Sequence, residues 1–598
     1  MLPFVILCIL LNPVTSLNLC GLSNAYKPTL LDTCETTNNR LGGYKTVSIN
    51  SALGEIEAGA LLIDNMDASS SRILDTMIEI QWNSGSIPIG VETALPRFIT
   101  YVHTEKSPRY AGSKADWFAD SLIPWPTTGV VIEANTQLSV WVNFNITSFA
   151  TPGIYKGSFV FSSSNGGSIS PLPFILKIFN VTIPPLATSP FRTVYAFDNN
   201  APNSIYSQYG TYDVNATLRT YFEELAKLRF PATNIYSTAP LPMWQYELLA
   251  SQGSSILILA DISSLPAPSD TFTRGSTSRR YSTSSSSFSS IKDMSLLSSP
   301  KSIDCPTFSP AYISFMISYL QPTWDALGTL GLQSRATVYG FDEIDPSCEP
   351  VVRQLFAAAK SAFPGVRTLS AIDWPSVPLD LPLDVWVLMY QLVNRSITNP
   401  WVQAGHELYV YHCIEPSAEG FLNTFNERDL IQARLLFFYD FIIDVTGHLY
   451  YDTALWFSWM SVPPFWSSYT TISNVTFATG SHQPISTMPG LNDQRLSNWD
   501  PANWIWSPRT DIWANGDGVF IYPSALDENK VGGVISTIRF EAQRDGIEDW
   551  HIARAVSNRS LAKQLVNTLV SAPTVWSANL TLLEEIRLEL LTLASSGQ

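Results

Sequence analysis

The feature that most constrains this fold is a rhythm that starts at Phe191 and continues to Trp456. Eight short apolar stretches, FRTVYAFD from 191, ATNIYS from 232, ILILADI from 256, ATVYGFDE from 336, RTLSAID from 367, VWVLMY from 385, LYVYHC from 408 and GHLYYDTALW from 447, alternate with segments of helical pattern. NATLRTYFEELAKLRF follows the first of them and ERDLIQARLLFFYDFIID the seventh. Apolar strands alternating with helices mark parallel βα units, and eight units close into a (β/α)8 barrel of the TIM type. Residues that do chemistry on such a barrel sit at the C-terminal ends of its strands.

Upstream the period is two. QLSVWVNFNI places Leu138, Val140, Val142, Phe144 and Ile146 on one face, with Trp141 and mostly polar residues on the other. GIYKGSFVF and PFILKIFNVTI follow, separated by the turn-forming SSSNGGSIS. Strands of this kind, joined by Gly, Pro and Asn turns, predict an antiparallel β-sandwich over 17–186, linked by PPLATSP to a barrel domain over 187–598. A chain of 598 residues is too long for one core, as this division requires. Residues 268–302 are a Ser/Thr tract carrying Arg274, Arg279 and Arg280, too polar for a core, and read as a flexible insertion.

A net charge of −16 and a pI near 4.8, with no Lys/Arg cluster, argue against a nucleic-acid partner, because phosphates are held by clustered cations. The six His show no metal-ligand spacing, and there is no P-loop, dinucleotide fingerprint or G-x-S-x-G, so neither metal nor cofactor is expected. MLPFVILCILLNPVTS reads as a signal peptide over 1–16, too short to span a bilayer. No later stretch is apolar enough for stable membrane insertion, so a secreted or lumenal location, extracellular or lysosome-like, is expected. Seven N-x-S/T sequons begin at Asn145, Asn180, Asn215, Asn394, Asn474, Asn558 and Asn579, a number this composition also produces by chance. Loss of Cys8 with the signal leaves Cys20, Cys34, Cys305, Cys348 and Cys413, an odd set in which Cys20 with Cys34 is the expected local bridge.

ATVYGFDEIDP carries the candidate chemistry: Asp342 and Glu343 stand where the fourth apolar strand ends, followed by Asp345 and a helix-stopping Pro346. Two adjacent carboxyls resist ionising together, so one stays charged while the other holds a proton. The competing reading makes them a helix cap or a solvated loop pair. RDGIEDW at 544–550, with Arg539, Arg544, Glu541, Glu548 and Asp549, reads as a buried ion network, and Gly516 and Gly518 of GDG as a tight turn.

Four ordered segments, ATVYGFDE, GHELYVYHCIEP running through its helix to HLYYDTALW, NGDGVFIYP at 515 and TIRFEAQRDGIEDW at 537, resemble glycoside hydrolase family 123. With TPGIYKGSFVF and ILKIFNVTIPP the resemblance covers about 130 to 560. It implies a retaining β-N-acetylhexosaminidase, of β-N-acetylgalactosaminidase type, in which the substrate's own 2-acetamido oxygen attacks and forms an oxazolinium ion. On the matching positions Asp342 orients the acetamido N–H and stabilises the developing positive charge. Glu343 protonates the leaving oxygen and then activates water. Trp374, Tyr390, Tyr451 and Trp456, near strand ends, are candidates for stacking on the sugar; where the family carries further Trp and Asn positions this chain has Tyr451 and Ala454. Two alternatives stand beside this reading: a two-carboxylate retaining glycosidase using Glu343 and Glu415, and a glycan-binding protein without turnover.

Overall fold

The computed structural model describes residues 17–41, 45–65, 72–104, 110, 112–114, 116–125, 130–132, 137–163, 169–207, 211–273, 305–455 and 515–597. The expected signal peptide, Trp456, Asn474 and most of the Ser/Thr tract lie outside them.

The period-two region forms two facing sheets. One runs Asn18–Leu22, Ile56–Asp64, Gln137–Ile146, Arg97–His103, Trp117–Pro124, with Val91–Thr93 also on Gln137–Ile146. The other runs Val47–Leu53, Leu172–Thr182, Gly153–Ser163, Arg72–Trp82, Val130–Ile132. Pairing is antiparallel except between Val47–Leu53 and Leu172–Thr182. Alternation sends Phe144 of one sheet against Phe159 and Phe174 of the other, at ring distances of 6.2 and 5.5 Å. Gly59 lies under these rings, where a Cβ would come within 3.2 Å of Phe159.

The eight expected barrel strands are all present: β1 (Arg192–Ala196), β2 (Ala232–Thr233), β3 (Leu257–Asp261), β4 (Ala336–Tyr339), β5 (Arg367–Ala371), β6 (Val385–Met389), β7 (Glu407–Tyr411) and β8 (Gly447–Tyr450). They form one parallel sheet in the order β2-β1-β8-β7-β6-β5-β4-β3. At the seam between β2 and β3, the Asp261 N–H donates to Ser237 O at 2.7 Å. The barrel is therefore nearly closed. Its interior is filled by alternate residues, Val194 and Ala196, Ile256 and Ile258, Leu369 and Ala371, Val385 and Val387, with Tyr339 and Tyr411 as the last such residues of β4 and β7.

Sandwich and barrel meet on the helix Ile538–Ala555, buried along nearly its whole length despite its charges. Glu541 bonds Arg97 of the sandwich at 2.7 Å and also pairs with Arg544. Glu548 takes Arg229 at 2.9 Å, Asp549 takes Arg434 and Arg587, each at 2.8 Å, and Arg539 takes Asp120 at 2.7 Å. The ion network read from RDGIEDW is thus present and spans both layers. Disulfides join Cys20 to Cys34 and Cys305 to Cys348, leaving Cys413 as a free thiol.

Candidate active site

β4 ends at Tyr339, and the chain turns through Gly340, Phe341, Asp342 and Glu343. Phe341 and Glu343 have φ of 62° and 47°, a left-handed conformation that costs residues bearing a Cβ about 1 kcal/mol or more each. Neighbouring strands hold the turn in place. The Phe341 N–H donates to Ser263 Oγ at 3.1 Å, the Ser370 hydroxyl donates to Phe341 O at 2.9 Å, and the Glu343 N–H donates to Ala371 O at 2.7 Å. Asp261 fixes Ser263 in turn, accepting from its N–H at 2.9 Å and its hydroxyl at 2.6 Å.

This turn has a chemical consequence. In an extended strand consecutive side chains point to opposite faces. Here both carboxyls reach hydroxyls that rise from the barrel interior: Tyr339 donates to Asp342 Oδ1 at 2.6 Å, and the Tyr411 hydroxyl lies 2.7 Å from Glu343 Oε1. The capping alternative does not hold, because Asp345 takes that role, accepting from the Ser347 N–H at 2.9 Å. Pro346 opens the helical turn instead of stopping a helix, since proline's fixed φ suits a first helical position. Two residues further on, Cys348 bonds to Cys305.

Asp342 is exposed at its surface, with protein atoms close to its carboxyl. Desolvation in this recess, reinforced by the charge of Glu343, pushes its carboxyl up to about 7. Burial, then Asp198, pushes Asp452 at the end of β8 up to about 8. Burial also raises Asp517 to about 7, although it accepts from the Tyr450 hydroxyl at 2.7 Å. Three carboxyls at or beyond the strand ends are thus raised toward neutrality. Among the described residues, no group of three or more His, Cys, Asp or Glu is placed to hold a metal ion, and no helix is long and apolar enough to cross a membrane.

The aromatic candidates are placed differently from one another. Trp374 and Tyr390 are buried, with the Trp374 indole N–H donating to Ile344 O at 2.6 Å and the Tyr390 hydroxyl donating to Leu422 O. Tyr451 is half-buried, its ring tilted on Tyr450 at 5.3 Å, and Trp456 lies outside the described residues. Glu415 is exposed and its carboxylate accepts from the N–H of Ser417 at 2.9 Å. Sequence reasoning passed over Asp373, Tyr339, Tyr411 and Tyr236. Tyr236 follows β2 with its ring edge on Tyr339 at 5.8 Å, and burial, then Asp342 and Glu343, raise its phenol. Asp373 stands at the end of RTLSAID, with the same strand-end signal that singled out Asp342.

Parallel barrel, paired acids at a strand end and family match together define a glycoside hydrolase. Residues 297–556 match the model of the glycoside hydrolase 123 catalytic domain. A solved family 123 glycoside hydrolase from Clostridium perfringens, studied for glycolipid glycan hydrolysis, has a TM-score of 0.61 at 12% identity, covering 98% of this chain and 97% of its own. At that identity the likeness is one of fold. A type I cohesin of Pseudobacteroides cellulosolvens covers 23% of this chain and 91% of its own at 13% identity and a TM-score of 0.14. No curated protein matches the sequence.

Proposed function

We propose that this glycoside hydrolase removes β-linked N-acetylhexosamine, with N-acetylgalactosamine as the preferred sugar, by substrate assistance. The observation that carries the reading is that adjacent acids at one strand end have different hydroxyl partners, Tyr339 for Asp342 and Tyr411 for Glu343. Asp342 accepts the acetamido N–H, which turns the acetamido oxygen onto the anomeric carbon and offsets the positive charge of the oxazolinium ion. Glu343 gives its proton to the leaving oxygen as the C1–O bond breaks, and takes one back from the water that opens the ring. The local turn that engages Glu415 favours this over a Glu343/Glu415 pair. Tyr451, with accessible surface, is our choice of stacking aromatic. We further propose secretion or delivery to a lysosome-like lumen, supported by the apolar N-terminus, two disulfides and exposed sequon asparagines Asn180, Asn215, Asn394, Asn558 and Asn579.

An aryl β-N-acetylgalactosaminide and its glucosamine counterpart test the proposal. Wild type releases the aglycone and is inhibited by a thiazoline mimic of the oxazolinium, while Glu343→Gln loses about 10²–10⁴-fold. External azide restores little, because no glycosyl-enzyme awaits a nucleophile. Equal activity of wild type and Glu343→Gln would remove Glu343 from the mechanism.

A further inference from the structure

We propose that Asp373, acting through the Tyr411 hydroxyl, is a positioning residue that keeps the reactive proton on Glu343. The inference rests on Glu343 being the acid of the proposed reaction and adds a third carboxyl to it. The Tyr411 hydroxyl lies 2.7 Å from Glu343 Oε1 and 2.7 Å from Asp373 Oδ2. A phenol has one proton, so it satisfies one of these contacts as donor. The other contact at this length needs a proton from the carboxyl side, and without it two oxygen lone pairs would face each other. Tyr411 is itself buried, and that burial, then Glu343 and Asp373, holds its phenol well above 10, so the phenol does not supply a second charge. Glu343, Tyr411 and Asp373 therefore share one proton more than two carboxylates and a phenol would carry.

Geometry decides how that extra proton is used. Asp373 is anchored at the end of β5, where its Oδ1 accepts the Met389 N–H at 3.1 Å, and this leaves Oδ2 toward Tyr411. With Asp373 ionised, the Tyr411 proton turns to it and the phenol oxygen accepts from Glu343, which favours the protonated acid. When Glu343 passes its proton to the leaving oxygen, the Tyr411 hydroxyl can turn to the new carboxylate. When water returns the proton to Glu343, the hydroxyl turns back. Other titratable groups facing this trio are Asp342, Tyr339, Tyr236 and Cys413, with Asp261 behind Asp342.

An asparagine at 373 removes the charge and can donate to the phenol oxygen, which turns the Tyr411 proton permanently toward Glu343 and favours its carboxylate. The test compares Asp373→Asn, Asp373→Glu and Tyr411→Phe on 4-methoxyphenyl and 2,4-dinitrophenyl β-N-acetylgalactosaminides, whose leaving groups need and do not need protonation. Asp373→Asn should lose about tenfold or more in kcat on the methoxyphenyl substrate and less than about twofold on the dinitrophenyl one. Its alkaline limb of kcat/KM should move to lower pH, and Asp373→Glu should restore part of both effects. In a Tyr411→Phe background the asparagine should move the limb no further. Equal losses on both substrates with an unmoved limb overturn the proposal and make Asp373 structural. Should Asp373→Asn fail to fold, Tyr411→Phe must by itself show the leaving-group dependence, and its absence there overturns the proposal equally. A Glu343→Gln enzyme that keeps its methoxyphenyl rate instead overturns the underlying reading of Glu343, whereas loss in Glu343→Gln without loss in Asp373→Asn overturns this inference alone.

Discussion

Asp342 and Glu343 are neighbours in sequence, but each meets a different hydroxyl, Tyr339 and Tyr411. Desolvation, then Glu343, pushes Asp342 up to about 7, so Asp342 holds a proton just below neutrality. In the proposed reaction a bound acetamido N–H would favour the ionised form of Asp342 and pass its proton to Glu343. On that proposal kcat/KM is expected to fall as pH rises through about 7, where Asp342 gives up its proton. In Asp342→Asn the like charge is gone, and the residual activity should lose its proton at lower pH. A pH profile of both proteins checks this, and an alkaline limb that stays at the same pH in the variant would contradict it. At this scale the sequence was informative about the acids because both follow directly on an apolar strand. Tyr339 and Tyr411 were illegible: they read as core residues, and they are core residues whose hydroxyls reach the two carboxyls.

At the scale of elements, the helix Ile538–Ala555 shows how a polar segment comes to be buried. Its sequence, IRFEAQRDGIEDWHIARA, has no clean apolar face, and its charges are matched by groups from three directions: Arg97 and Asp120 from the sandwich, Arg434 from the helix Ile431–Ile442, and Arg587 from the helix Leu580–Ser596. Burial alone would raise Glu541, but Arg97 and Arg544 pull it down to about 2. Glu541→Gln leaves the half-buried Arg97 without its counter-charge and Arg544 with one carboxylate fewer, and a loss of about 3 kcal/mol is expected at neutral pH. Because the folded carboxyl has the lower pKa, its stabilisation is complete above the ordinary range near 4.5 and is lost as pH falls toward 2. Denaturation of both proteins at pH 7 and pH 3 checks the sign, since the gap between them should narrow at the lower pH. The same helix explains why the second face of Gln137–Ile146 is covered: Trp141 is buried there, and Asn143 donates to Glu541 at 3.2 Å. Period-two patterning identified the strand, but a polar face covered by a polar helix looks in sequence like a face open to water.

Over the whole molecule the raised carboxyls act together. Asp342 near 7, Asp452 near 8 and Asp517 near 7, each raised first by burial, take up protons on folding, and Glu55 and Glu548 are raised by burial as well. The folded chain binds more protons than the unfolded one between about pH 4.5 and 8, so stability decreases as pH rises across that window. Calorimetry should find a higher Tm near pH 5 than at pH 8, and a rising Tm over the same interval would overturn the account. The sequence by itself determined the order of layers, the eight barrel strands and the position of the acid pair at a strand end, because hydrophobic periodicity and strand-end position are local properties that survive without coordinates. Only the tertiary structure decided which hydroxyls meet that pair, which aromatics are open, and that the acidic helix is a joint between layers. Those outcomes depend on residues distant in sequence arriving within hydrogen-bond distance, Tyr411 beside Glu343 and Arg97 beside Glu541, and no local pattern encodes such an approach.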